Sequence, residues 1–285
     1  VSDALAALQS LAADERVTAA SDRAREACTQ LRWHQALRRR IPEAAAESRV
    51  RGAWASGELD GARSSIEIVR DLMRGAREPS PDPDPAERVL HGAIAATAAT
   101  EGLVASVRSA PRQAYARLHL AAASHLVDSG DLGRPRTSAE CAEFSLLGPA
   151  PDAAEAAARL FALDDVIAAD DLPTLLVVAI AHAEIVHARP FARGNGLVAR
   201  ALNRVLLQAC GLDPTGVVVP EAGHGAQGGV AYHGALQAYG SGSLAGLMLW
   251  IDHCADAVVA GAREGGEIAD AVLAGRFSAT PTQPG

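Results

Sequence analysis

Lysine is absent from this chain: all 26 basic residues among its 285 are arginine. That excludes a Schiff-base lysine and any phosphate loop that needs one. The abundance of Ala, Arg, Gly and Asp fits a GC-rich coding bias. Cysteine is scarce, and Cys28, Cys141, Cys210 and Cys254 lie far apart with no C-x-x-C pair. Buried free thiols are therefore expected, rather than a structural zinc or a dense disulfide framework. No uninterrupted apolar run reaches the roughly 18 residues of a membrane span. The opening Val1-Ser2-Asp3-Ala4 shows no basic stretch followed by an apolar one, so no export signal is visible. A cytoplasmic protein that does not engage a membrane is the expectation. Positive charge is also in deficit: 34 acidic residues against 26 basic ones leave a net charge of −8. That argues against wrapping a nucleic-acid backbone. The local cluster Arg38-Arg39-Arg40, with Arg32, Arg49 and Arg51 nearby, reads as a solvated face or an ion-pair surface.

Aromatic residues make up only 4%, and Ala and Leu dominate, so most segments between breakers are rich in good helix formers. Helices are predicted over 2–28, 29–52, 57–76, 84–107, 110–129, 152–168, 171–188, 195–210, 228–238 and 243–263. In 171–188, Leu172, Leu175, Leu176, Ala179, Ile180 and Ala183 recur at helical spacing, and Ile185 and Val186 widen the stripe. A helix apolar nearly all round belongs at the centre of the fold. Gly133-Arg134-Pro135-Arg136 followed by 137–147 reads as a short extended or hairpin segment, and 216–220 as a connector. The fold class is all-α. Between Glu78 and Pro85, four prolines at alternate positions cannot continue a helix, so 79–85 reads as a stiff acidic connector. It separates an N-terminal helical region, 1–78, from the remainder. The last stretch, 277–285, has little to bury and reads as a disordered tail.

The most informative stretch is Arg189-Pro190-Phe191-Ala192-Arg193-Gly194-Asn195-Gly196-Leu197-Val198-Ala199-Arg200. A helix ends at a proline, a Gly-Asn-Gly turn follows, and an apolar helix begins at Leu197. Two glycines let the backbone take positive φ, and the free N–H groups of the new helix point into the turn. Amides and helix dipole together favour a bound anion there. Arg200, one turn into the helix, is placed to clamp the same anion. A plain helix-to-helix turn is the competing reading. Phe191 at the bend reads as a core anchor.

This stretch resembles the signature of the Fic (Fido) family, H-P-F-x-D/E-G-N-G-R-x-x-R. The segment from His182 to Phe191 is similar to the helix and bend before that signature, and Arg200-Ala201-Leu202-Asn203-Arg204-Val205-Leu206-Leu207 to the helix after it. The stretch from Gly133 to Pro151 is similar to the family's flap and the proline-containing turn that follows. The resemblance covers about 86–262. It implies a Fic-like helical core with a short β-hairpin flap, here a domain over 86–265, with 266–285 holding the end of the C-terminal helix and the tail.

What the resemblance implies chemically is AMP transfer from ATP to a protein hydroxyl. The signature histidine is the base, the acidic residue holds Mg²⁺, and the turn and two arginines hold the phosphates. In this sequence the base position is Arg189, the acidic position Arg193 and the first arginine position Leu197, while Pro190, Phe191, Gly194, Asn195, Gly196 and Arg200 are retained. A guanidinium stays protonated at any working pH, so Arg189 cannot act as a base. General-base assistance is typically worth about 10²–10⁴-fold. Arg193 repels Mg²⁺, which seeks oxygen ligands. Ordinary AMP transfer and a bound Mg²⁺ are therefore not expected, and no residue is assigned as catalytic.

Gly194, Asn195, Gly196, Arg200, Arg189 and Arg193 form the candidate anion or nucleotide site, with ATP or another phosphate-containing molecule as ligand. His187 is a displaced candidate base. His182, Glu184 and His187 do not suit a metal, because only Glu184 and His187 have ligand spacing on a helix. His224 reads as a surface-loop histidine. Ser56-Gly57-Glu58-Leu59-Asp60-Gly61 is similar to the family's inhibitory helix, S/T-x-x-x-E-G/N, with Asp60 in place of glutamate. The implied partner of Asp60 is Arg200; a simple helix terminus at Gly61 is the alternative. Three functions stay open: a catalytically impaired protein that binds an anion, nucleotide or partner; an active nucleotidyl or phosphoryl transferase with a non-standard site; or a pure interaction module. The family's flap recruits protein by strand addition, so 137–147 is the candidate partner surface. A homodimer is left open.

Overall fold

Helix starts are set by side chains that satisfy first-turn amides. The oxygens of Asp14, Asp84 and Asp152 accept from the backbone N–H of Arg16, Glu87 and Glu155, caps worth about 1 kcal/mol each. They open α2 (Glu15–Arg32), α5 (Pro85–Ala99) and α7 (Ala153–Ala168). Asp84 and Glu87 close a full capping box, so Pro85, the last proline of the connector, becomes the first residue of α5. The computed structural model describes residues 3–277 other than 140 and 227. The expected tail, apart from Phe277, lies outside the described residues.

The remaining helices are α1 (Asp3–Ala12), α3 (Ile41–Leu59), α4 (Ile66–Met73), α6 (Pro111–Ala123), α8 (Thr174–Ala188), α9 (Asn195–Ala209), α10 (Pro220–Gly225), α11 (Gly229–Gly240) and α12 (Leu244–Leu273). The fold is all-helical among the described residues. Several boundaries differ from expectation. Asp14 splits the first predicted helix by capping α2. α3 runs on to Leu59 because Gly61, at φ +85°, is the residue that stops it. α12 continues ten residues past the predicted end. Its Gly265 lies where an added Cβ would meet Leu31 and the Val217 carbonyl, each at 2.8 Å. Close packing there offsets the low helix propensity of glycine.

α8 sits at the centre: every residue from Leu175 to Ala188 except Glu184 is buried. One hydrophobic core joins side chains from Val17 on α2 to Val272 on α12, and a small satellite core of Val50, Ala53, Ala62, Val69 and Leu90 lies between α3, α4 and α5. α12 is long and apolar enough to cross a bilayer, but more than half of its most apolar window is buried inside the fold. All four cysteines are free; Cys28 and Cys254 are buried, and Cys141 and Cys210 only half-buried.

The expected β-hairpin flap is not seen among the described residues. Among the described residues 137–147 contains no strand, only a 3-10 turn over Ser145–Leu147. The reason is visible in the hydrogen bonds. The Arg136 guanidinium donates to the carbonyls of Ser138, Ala139, Pro151 and Arg189. The Arg189 guanidinium donates to those of Glu143, Gly148 and Pro149. Carbonyls that a hairpin would pair with cross-strand amides are satisfied by two buried arginines instead.

Candidate functional site

The end of α8 and the start of α9 build the turn. Arg189 caps α8 in the left-handed region, φ +45°, its N–H donating to Ile185 O at 3.0 Å. Gly194 takes φ +85°, a conformation that suits glycine. The fully buried Asn195 side chain ties the turn across itself: Oδ1 accepts from Phe191 N at 3.0 Å, and Nδ2 donates to Phe191 O at 2.9 Å. Phe191 is buried and its ring stacks on His119, centroids 4.0 Å apart. His119 Nδ1 accepts from Gly133 N at 2.9 Å, which leaves Nε2 to donate to Arg193 O at 3.0 Å. Burial pulls the His119 pKa down to about 4, so it ties Gly133 to the turn at Arg193 as a neutral ring.

The amide cradle at the turn carries an anion, and the anion is the chain's own. The Glu143 carboxylate accepts from Gly194 N at 2.6 Å, Asn195 N at 3.0 Å and Asn195 Nδ2 at 2.7 Å. Burial pushes this carboxyl above the usual carboxylate range, although those three donors pull the other way. Glu143 is the residue that sequence reasoning missed. Next to it Phe144, at φ +53°, lays its ring against Gly196, where an added Cβ would be 2.9 Å from Phe144 Cζ.

Arg200 is also in place. Its guanidinium is buried, with Nη2 at 2.8 Å from Asp60 Oδ2 and 3.1 Å from Ser56 O, and Nε donating to Ser56 Oγ at 2.8 Å. Burial opposes the charge, but the Asp60 carboxylate and the Tyr232 oxygen together more than offset it, holding the group above its usual range. Nη1 has no hydrogen-bond partner and sits 3.0 Å from the Cβ position of Gly196. Gly61 ends α3 through Ala62 N to Gly57 O at 2.9 Å, which leaves Asp60 at the helix end facing Arg200. Helix terminus and Arg200 partner therefore coexist. A second buried arginine, Arg204, ties α9 to α10 and α3: its Nε and Nη2 meet Glu221 Oε1 and Oε2 at 2.9 and 2.8 Å, and its Nη1 donates to Ser48 Oγ at 2.9 Å.

The other candidates lie elsewhere. Arg189 points its guanidinium away from the turn, onto the loop carbonyls. Arg193 is exposed at the edge of a cavity of about 360 Å³ lined by Asp60, Glu143, Phe144, Gly194, Leu197 and His233 among others. His187 is not at the turn: Nε2 is 2.9 Å from Leu236 O, and the ring lines a separate apolar cavity of about 800 Å³. Glu184 pairs with Arg159 and accepts from Tyr239 Oη at 2.6 Å. His224 is no surface residue. It lies 1% exposed on α10, in a ring cluster with Trp250, His253, His182 and Tyr232. Burial drives the pKa values of His182 and His224 well below that of a free imidazole.

The site does not suit the divalent cation that the signature resemblance implies. Its acidic position holds Arg193, both Glu143 oxygens are already bonded to N–H groups, and among the described residues no group of three or more His, Cys, Asp or Glu is placed to hold a metal.

Residues 111–207, which contain the loop, α8, the turn and most of α9, match the sequence profile of the Fic/DOC family. A Fic family protein from Desulfovibrio desulfuricans G20 superposes with a TM-score of 0.71 at 20% identity, covering 94% of this chain and 77% of that one. Fic-1 (residues 134–508) from C. elegans gives 0.62 at 17% identity, covering 92% and 75%. A Fic domain-containing signaling protein from Bacteroides thetaiotaomicron VPI-5482 gives 0.64 at 12%, covering 88% and 98%. At these identities the likeness is one of fold. No curated protein sequence matches the chain. Profile and superposition agree: residues 111–207 match the Fic/DOC family profile, and the chain has the fold of Fic family structures.

Proposed function

We propose that the protein binds a phosphate-bearing ligand at Gly194, Asn195, Gly196 and Arg200 but does not transfer a nucleotidyl group. The observation that carries this reading is the pair of anion positions at the start of α9. Main-chain amides hold one carboxylate and a buried guanidinium holds another, and both donor sets suit phosphate oxygens. Two absences of chemistry argue against turnover. A permanently charged guanidinium stands where the resemblance places the base, turned onto backbone carbonyls, and His187 is engaged elsewhere. Arg200 with Asp60 and Ser56 supports a resting form in which the second anion position is closed, as the similarity of Ser56-Gly57-Glu58-Leu59-Asp60-Gly61 to an inhibitory helix implies.

Incubation with labelled ATP, with and without Mg²⁺, tests the reading. The expected result is no covalent label on the chain or on proteins of a lysate. ATP raises the unfolding temperature, because a ligand of the native state alone stabilises it. Label transfer would overturn the impaired assignment, and a flat thermal profile across ATP concentrations would remove the ligand.

A further inference from the structure

Among the described residues the loop 136–149 has no helix or strand beyond a single 3-10 turn, so its position depends on side-chain bonds between it and the domain. Three residues make them. Glu143 lies in the amide cradle. Arg136, 3% exposed, anchors the start of the loop, its backbone N–H donating to Pro190 O at 2.7 Å and its Nε to Arg189 O at 2.8 Å. Arg189, 2% exposed, holds the far side: Nη1 donates to Glu143 O at 3.1 Å and Gly148 O at 3.0 Å, and Nη2 to Pro149 O at 2.8 Å. The backbone at Phe144 is left-handed, a conformation that is strained for a residue with a side chain and persists only where its surroundings hold it. Beside this loop, Arg200 Nη1 is buried, unpartnered and directed at Gly196. It is a donor without an acceptor while Glu143 and Asp60 occupy the rest of the site.

We propose that residues 141–149 form a latch, in which Glu143 occupies the anion cradle as an internal competitor and Arg189 fastens it, so that a phosphate-bearing ligand binds only when the latch lifts. This rests on the anion-binding reading above and adds its regulation. Arg189 is then a positioning residue: it touches no ligand and acts through Glu143. A ligand whose site is open only a fraction of the time has its apparent affinity reduced by that fraction. Removing the competitor therefore tightens binding without adding any contact.

Inorganic pyrophosphate is the probe, titrated calorimetrically into the wild-type chain, Glu143→Ala, Glu143→Gln, Arg189→Ala and the Glu143→Ala/Arg189→Ala pair. Hydrogen exchange at the amides of Gly194 and Asn195 is followed in the absence of ligand. Glu143→Ala is expected to bind pyrophosphate at least tenfold more tightly than wild type, with Glu143→Gln between them. Both amides lose protection in Glu143→Ala and Arg189→Ala. The double variant binds no more tightly than Glu143→Ala alone, since Arg189 has nothing left to fasten. Equal affinity of wild type and Glu143→Ala, with binding measurable in both, overturns the latch and leaves the anion site standing. Unchanged amide protection in Glu143→Ala and Glu143→Gln overturns it as well. Deprotected amides with no pyrophosphate binding in any variant would instead overturn the anion site and, with it, the gate.

Discussion

Cutting the Arg204–Glu221 fork should loosen the helix that carries Asp60. The two side chains are 2% and 1% exposed and share two parallel bonds. Arg204 also donates from Nη1 to Ser48 Oγ at 2.9 Å and more weakly from Nη2 to Ser48 O, so α3, α9 and α10 meet at one guanidinium. Glu221→Leu leaves a buried cation without its counter-charge, a change that costs about 3–5 kcal/mol. At about 2 °C per kcal/mol for a chain of this size, the midpoint falls by about 6–10 °C. Replacing both partners in Arg204→Met/Glu221→Leu removes the charge together with its partner. Only the Ser48 oxygens then lose a donor, so the double variant should lie about 1–2 kcal/mol below wild type. Urea unfolding followed through the buried Trp250 gives all four corners of the cycle. A loss under about 1 kcal/mol for Glu221→Leu, or a double variant as unstable as the sum of the singles, would refute the reasoning.

Other outcomes follow from the same contacts. His119 is neutral and fully buried, with a pKa near 4 against 6.5 when free. The unfolded chain therefore binds more protons between those values, and stability falls as pH drops through that window. This one ring accounts for at most about 3 kcal/mol of the fall. Urea midpoints measured across pH 7 to 4 should show a shallower decline in His119→Gln, and identical slopes would count against the assignment. Asp60→Ala removes the counter-charge of a buried guanidinium whose partner side chain is 23% exposed. It should lower stability by about 1–3 kcal/mol while strengthening pyrophosphate binding in calorimetry; weaker binding would contradict the closed resting form. An added Cβ at Gly223 would stand 1.9 Å from Ala257 O, whereas at Gly225 nothing lies within 4 Å. Gly223→Ala should therefore fail to fold or melt far below wild type, with Gly225→Ala close to unchanged by circular dichroism.

How much of this was legible in the sequence depended on distance along the chain. The turn, Arg200 and the Ser56–Asp60 helix end are local patterns, and the structure brings them together. Capping aspartates and prolines marked the starts of α5, α6 and α7. The break before α2 was missed because Asp14 is its only signal. α10 was missed because its place depends on tertiary contact. Gly223 and Gly261 let α10 and the segment leading into it approach the α12 backbone, and that approach is what buries His224. Glu143 was illegible for a different reason. It lies 51 residues before Gly194, with no periodicity linking the two. The loop carbonyls gave no hint either, because Arg189, which satisfies several of them, stands 40 residues beyond Pro149.

The left-handed backbone at Arg189 and the carbonyls it gathers have a consequence for how this sequence can change. Placing histidine there would supply an imidazole but withdraw the donors from Glu143, Gly148 and Pro149 at the same stroke. The seat of the neighbouring segment and the residue at the bend are coupled, so a single substitution unseats that segment as it changes the side chain. Such a position is conditional on its surroundings, and they on it.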